Sequence, residues 1–74
     1  MNIEQKKKNF NRIAEARVEK LLDMIKLLGN LSNSSFYYYE EKDIDLIFAA
    51  LKEEINVAEI RFRISKKKKG RFIL

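Results

Sequence analysis

The sequence contains no cysteine, no histidine and no proline, and it has only two glycines. Without cysteine and histidine, the chain lacks disulfides, thiol nucleophiles, the common zinc sites and imidazole acid–base groups. The two glycines, Gly29 and Gly70, are too far apart to form a glycine-rich phosphate loop. These absences exclude most of the chemistry that enzymes use.

Carboxylates remain as candidates for chemistry, and their spacing does not suit it. Glu53 and Glu54 are adjacent, and adjacent residues of a helix do not face each other. Asp43 and Asp45 lack the spacing of a calcium loop. The sequence therefore predicts a non-enzymatic protein with no cofactor, no metal site and no small-molecule substrate.

The length of 74 residues, with 46% hydrophobic and 36% charged residues, predicts one globular domain spanning 1–74. A domain this small buries too little surface to be very stable alone, so we expect oligomerisation or a partner to complete it. The longest apolar run, residues 46–51, is far shorter than a membrane span. No apolar signal-peptide core follows the lysines at 6–8, so we expect a cytoplasmic protein without a membrane partner.

Two segments with apolar residues at helical spacing predict an all-α fold. The first helix is expected at about 4–28 and the second at about 41–63, with a loop at 29–40 between them. Gly29 is expected to end the first helix in the left-handed conformation that glycine tolerates at this position. The second helix has a weakly marked start, because Glu40 is a poorer N-cap than Ser, Thr, Asp or Asn.

From Ala14 in the first predicted helix and from Ile44 in the second, apolar residues follow one another in alternating steps of four and three, the pattern of a coiled-coil seam. In an antiparallel arrangement, the residue numbers of each facing pair add up to 72 or 73. The pairs are Leu28 with Ile44, Ile25 with Phe48, Leu21 with Leu51, Val18 with Ile55, Ala14 with Ala58, and Phe10 with Phe62. This register predicts a coiled-coil-like antiparallel two-helix hairpin. The six residues that the second helix contributes to these pairs form what we call the first face of that helix.

The second helix has another apolar stripe, which we call the second face. It consists of Leu46, Ala50, Val57, Ile60 and Ile64. A helix that is apolar on two sides needs two neighbours. The second face therefore predicts self-association or a partner protein, although the C-terminal residues 72–74 could also cover part of it.

The C-terminal end allows two interpretations. The alternation of apolar and polar residues from 59 to 65 also fits a strand, which would pair with residues 71–74 across 66–70. Because Phe62 continues the heptad, we favour a helix to about Arg63. A basic tail at 64–74 would follow.

Positive charge concentrates at the two chain ends. Residues 1–14 carry a net +3, residues 59–74 carry +6, and residues 15–58 carry −4. An antiparallel hairpin brings these ends together into a basic pole of about +9. Its members are Lys6, Lys7, Lys8, Arg12, Arg61, Arg63, Lys66, Lys67, Lys68, Lys69 and Arg71.

The basic pole predicts binding to the phosphate backbone of nucleic acid with little sequence preference, because clustered lysines and arginines release condensed counterions. Two other interpretations stay open, namely an acidic protein partner and a charge that only keeps the chain soluble. An alternative function is a helical protein–protein interaction module, such as a phage inhibitor or an assembly subunit, that docks through the second face.

An aromatic block, residues 36–39, lies between the helices. We interpret it as a lid over the open end of the hairpin or as a protein-contact patch, since tyrosine is favoured at interfaces. Base stacking is the weakest interpretation, because neighbouring acidic residues repel phosphate.

The stretch from Ile25 to Asn33, which contains Leu-Leu-Gly-Asn-Leu-Ser-Asn, and the following Tyr37 to Ile44 resemble a group of small uncharacterised bacterial proteins met on plasmids, integrative elements and phages. The resemblance covers roughly residues 10–62. Glu40 stands where those proteins have a capping threonine. The resemblance implies a helical mobile-element accessory protein and brings no biochemical role with it.

Overall fold

The computed structural model describes residues 2–71, with side chains for residues 2–65. It contains α1 (Ile3–Gly29), a single 3-10 turn (Asn30–Ser32) and α2 (Glu41–Arg71), and no strand among these residues. The all-α class and the helix–connector–helix order of the hairpin are confirmed. The chain divides into two units, Met1–Tyr38 and Tyr39–Leu74. The single domain and the pairing of α1 with the first face stay predictions.

A side-chain cap fixes the beginning of α1. The side chain of Asn2 accepts a 2.8 Å hydrogen bond from the backbone N–H of Gln5. The backbone carbonyl of Asn2 accepts another from the backbone N–H of Lys6. Asparagine is among the best N-cap residues because its side-chain oxygen satisfies an amide that has no partner within the helix. Glu4 adds a carboxylate at the positive end of the helix dipole.

The end of α1 differs from the prediction at Gly29. This residue has φ −60° and ψ −27°, so it is an ordinary right-handed helical residue rather than a left-handed cap. The N–H of Asn30 still bonds back to the carbonyls of Lys26 and Leu27, and the chain tightens into the 3-10 turn instead of stopping. The expectation of a glycine stop at this point is wrong, since extended backbone begins only at Asn33, where ψ is 98°.

Asn33 organises the connector between the helices. Its side chain accepts a 3.0 Å hydrogen bond from the N–H of Ser35, and its carbonyl accepts 3.1 Å bonds from Phe36 and Tyr37. A side-chain oxygen that bonds an amide two residues on is the pattern of an Asx turn. Residues 34–36 consequently form a turn with backbone partners of its own, rather than a long unstructured loop.

The beginning of α2 is better marked than Glu40 suggests. The N–H of Glu40 donates a 2.9 Å hydrogen bond to the carboxylate of Asp43, while the Glu40 carbonyl accepts from the N–H groups of Asp43 and Ile44. A side chain at the third helical position that reaches back to the N-cap amide is one half of a capping box. Asp43 therefore supplies the cap that Glu40 cannot.

The C-terminal half of α2 differs from both interpretations of the C-terminal end, the strand and the basic tail. The helix continues to Arg71, so residues 60–65 are not a strand and residues 64–71 are not an extended tail. Lysine and arginine are good helix formers, and cations near a helix C-terminus are favoured by the dipole. These preferences outweigh the alternation at 60–65 and the cost of Gly70. Residues 72–74, which the strand interpretation also required, lie outside the described residues.

None of the residues 2–65, whose side chains the structure describes, is buried, so this part of each unit contains no core of its own. Neither helix, over this same part of the chain, combines the length and apolar content that a membrane crossing requires. A helix without tertiary packing depends on its caps and its propensity. The apolar residues of α1 and α2 within 2–65 are consequently at least partly open to solvent.

Candidate nucleic-acid interface

The N-terminal lysines of the basic pole lie in the first turns of α1, not in a loose leader. Lys8 and Arg12 are four residues apart, so they share one face of the helix. The ammonium of Lys7 lies 5.7 Å from the centroid of the Phe10 ring, within the range of a cation–π contact. The backbone N–H of Lys6 donates a 3.1 Å hydrogen bond to the backbone carbonyl of the N-cap residue Asn2, and Lys6 lies on a different side of the helix from Lys8.

Arg61 and Arg63 both belong to α2, and helical geometry separates them. Residues two apart in a helix are rotated by about 200°, so the two guanidinium groups lie on nearly opposite flanks. In a strand they would have shared one face. The helix thus does not bring these two arginines together on one face.

Arg63 already has an acidic partner that the sequence prediction missed. Its guanidinium donates a 3.0 Å hydrogen bond to the carboxylate of Glu59, one helical turn earlier, with the two side chains 71% and 59% exposed. An exposed pair of this kind contributes less than about 1 kcal/mol, so a phosphate can displace the carboxylate. The spacing of Glu59 and Arg63 is the signal that could have revealed this pair.

The four lysines at 66–69 follow in the last turns of α2. Successive helical residues are rotated by about 100°, so four consecutive lysines are distributed around the whole helix axis. Arg71 extends the same segment. Seven of the eleven residues from 61 to 71 are basic, and all seven belong to α2.

The second face of α2 is open to solvent. Leu46 is 70% exposed, Ile64 54%, Ile60 44% and Val57 40%. Ala50 is also exposed. The structure thus places all five residues of the predicted interface on an accessible helix surface.

The aromatic block is exposed as well, most strongly at Tyr38 (89%) and Phe36 (80%). The lid and the protein-contact interpretations both stay predictions. The described residues contain no group of three or more acidic side chains placed to hold a metal ion.

Comparison of the chain with protein-family models, with curated proteins and with solved structures found no match. The resemblance to mobile-element proteins therefore stays a prediction.

Proposed function

We propose that this protein is a small non-enzymatic binding protein that attaches to the phosphate backbone of nucleic acid through its basic pole, with little sequence readout. The observation that carries the proposal is the continuation of α2 to Arg71. Seven basic residues are thereby held on a helix. A flexible tail with the same residues would lose conformational entropy when it became ordered on binding.

The physical driving force is the release of counterions from the nucleic acid. Each phosphate that a lysine or arginine neutralises frees condensed cations, and clustered charges add their effects. A basic helix also fits the major groove of a duplex, which admits one α-helix. The basic segment 61–71 of α2 supplies the charge for such a contact.

The first helix adds to this surface when α1 and the first face pair in the predicted antiparallel register. Residues 6–12 then lie beside residues 60–66, and Lys8 and Arg12 join the basic segment of α2. The net −4 of residues 15–58 keeps phosphate away from the opposite end of the hairpin. Binding is consequently directed to the chain ends.

The test is the salt dependence of binding. Labelled duplexes and single strands of unrelated sequence are titrated with the full chain over a series of salt concentrations, and binding is followed by fluorescence anisotropy. The proposal predicts a steep linear fall of log affinity with log salt and small differences between sequences. Absence of binding at low salt, or tight binding that salt leaves unchanged, would rule it out.

A second candidate function is a helical interaction module, favoured by the exposure of Leu46 and Ile60 on the second face. In that case Leu46→Asp or Ile60→Asp abolishes capture of a partner protein, while alanine at the four lysines has little effect. The opposite pattern, with loss of nucleic-acid binding only on the lysine change, favours the first function.

A further inference from the structure

The second face of α2 is a nearly complete coiled-coil seam. Its apolar residues are separated by steps of 4, 7, 3 and 4, and Glu53 lies at the position that divides the step of seven into three and four. With Glu53 included, six positions from Leu46 to Ile64 follow the alternating steps of a helix–helix contact. All six lie within the continuous helix Glu41–Arg71.

This seam lies on the side of α2 opposite the first face. At about 100° per residue, the two sets of positions are centred roughly 180° apart around the helix axis. One neighbouring helix covers one of these faces, so α1 cannot serve both. If α1 covers the first face, as the sequence predicts, the second face needs another occupant.

The charge of α2 indicates what that occupant is. The helix begins with Glu41, Asp43 and Asp45 and ends with the basic segment 61–71. A second copy in antiparallel orientation sets each acidic start beside the other copy's basic end, and it also opposes the two helix dipoles. A parallel copy would place acid beside acid and lysine beside lysine.

We propose that the second face of α2 binds the second face of another copy of this chain in antiparallel orientation. In the register that pairs the seam positions, residue numbers of facing residues add up to 110. Leu46 then packs on Ile64 of the second copy, Ala50 on Ile60, and Glu53 on Val57. Residues 41–45 lie level with residues 65–69 of the other copy.

Glu53 weakens this dimer, which makes it reversible, and favours a single register of the two helices. A carboxylate inside an apolar seam loses hydration without gaining a cation, so it weakens the contact. A single polar residue in a seam also disfavours shifted registers. Glu54 lies near the two-fold axis of the dimer, close to Glu54 of the second copy, and the two carboxylates add a smaller repulsion.

The register is tested with the full chain, which has no native cysteine. A50C and I60C are prepared separately, oxidised alone or as an equimolar mixture without nucleic acid, and analysed on non-reducing gels. Phosphate is left out because it would compete for the same lysines. Circular dichroism confirms that both variants keep the helical content of the parent chain.

The proposal predicts efficient cross-linking in the mixture and little in either variant alone. In this register, residue 50 of one copy is displaced from residue 50 of the other by about ten residues, or about 15 Å along the helix, and the same holds for residue 60. That separation is too large for a disulfide, which needs Cα atoms closer than about 7 Å. Cross-linking of A50C by itself would indicate a parallel pair and overturn the proposal, as would a mixture that gives no cross-link.

Light scattering of the unmodified chain gives a second readout. The apparent mass should approach that of two chains at high concentration and fall with added salt, since the end-to-end attraction is electrostatic. Glu53→Leu should tighten the dimer by about tenfold or more, whereas Lys52→Leu, on another side of α2, should not. A chain that stays monomeric at all concentrations, or equal effects of these two changes, would contradict the proposal.

Discussion

The backbone N–H of Glu40 donates a 2.9 Å hydrogen bond to the carboxylate of Asp43, which closes the first turn of α2 from its third position. Glu40 itself forms a 3.9 Å ion pair with Lys42, and both side chains are more than half exposed. The hydrogen bond is the stronger anchor, because an exposed ion pair at that distance contributes little. The start of the helix thus depends on Asp43.

Replacement of Asp43 by alanine should lower the stability of α2 by about 1 kcal/mol, because the amide of Glu40 loses its acceptor. Asp45→Ala is the matched control, since it removes the same charge near the helix start without this hydrogen bond. Thermal unfolding followed by circular dichroism measures the difference. Equal effects of the two substitutions would show that charge near the dipole matters and the bond does not.

Gly29→Ala should stabilise α1 by about 0.5–1 kcal/mol. The residue is right-handed helical, and a Cβ added there meets no atom within 4 Å. Helical content and melting temperature are the readouts. A left-handed Gly29, as the sequence alone suggested, would instead make the alanine variant less stable than the parent by a similar amount.

Ser65→Pro should weaken nucleic-acid binding although it leaves every charge in place. Proline removes a backbone donor and clashes with the preceding turn, so the basic segment after residue 65 loses its connection to α2. The helical signal should fall together with the affinity. If the lysines act as a flexible tail, the affinity of this variant would equal that of the parent chain.

Glu59→Gln should strengthen binding, because it frees the guanidinium of Arg63 and removes a negative charge from the basic pole. The salt slope should steepen by about one unit if Arg63 then engages a phosphate. Glu19→Gln makes the same charge change in the middle of α1 and is the control. Indistinguishable slopes for the two variants would mean that Arg63 does not contact the nucleic acid.

The sequence was sufficient to predict the two helices, since the seam of α1 from Ala14 to Leu28 and the first face both repeat every seven residues. It did not reveal the caps, because the Asn2, Asn33 and Asp43 hydrogen bonds depend on local geometry that several polar residues nearby could have supplied equally well. The spacing of the apolar residues alone could not decide whether residues 60–65 form a strand or a helix.

In that segment, an alternating pattern also matches an apolar helix flank, and the helix preference of the lysines that follow decides the outcome. The candidate site was predictable as a set of charges, but its arrangement was not. Whether Arg61 and Arg63 share a face depends on whether the segment is a strand or a helix.

In the proposed function, the lysines at the end of α2 bind phosphate as a cluster. The chain offers a matched comparison, because it has four further lysines outside the basic pole, at positions 20, 26, 42 and 52. Changing either set to alanine removes the same charge and makes the same chemical substitution. The total charge of the protein therefore cannot account for a difference between the two variants.

The deciding measurement is the slope of log affinity against log salt for the parent chain and for these two quadruple variants. Alanine at 66–69 should reduce the magnitude of the slope by about three to four units, whereas alanine at 20, 26, 42 and 52 should leave it nearly unchanged. Equal slopes for the two variants would contradict the proposed function, because binding would then follow net charge alone and not the basic helical end of α2.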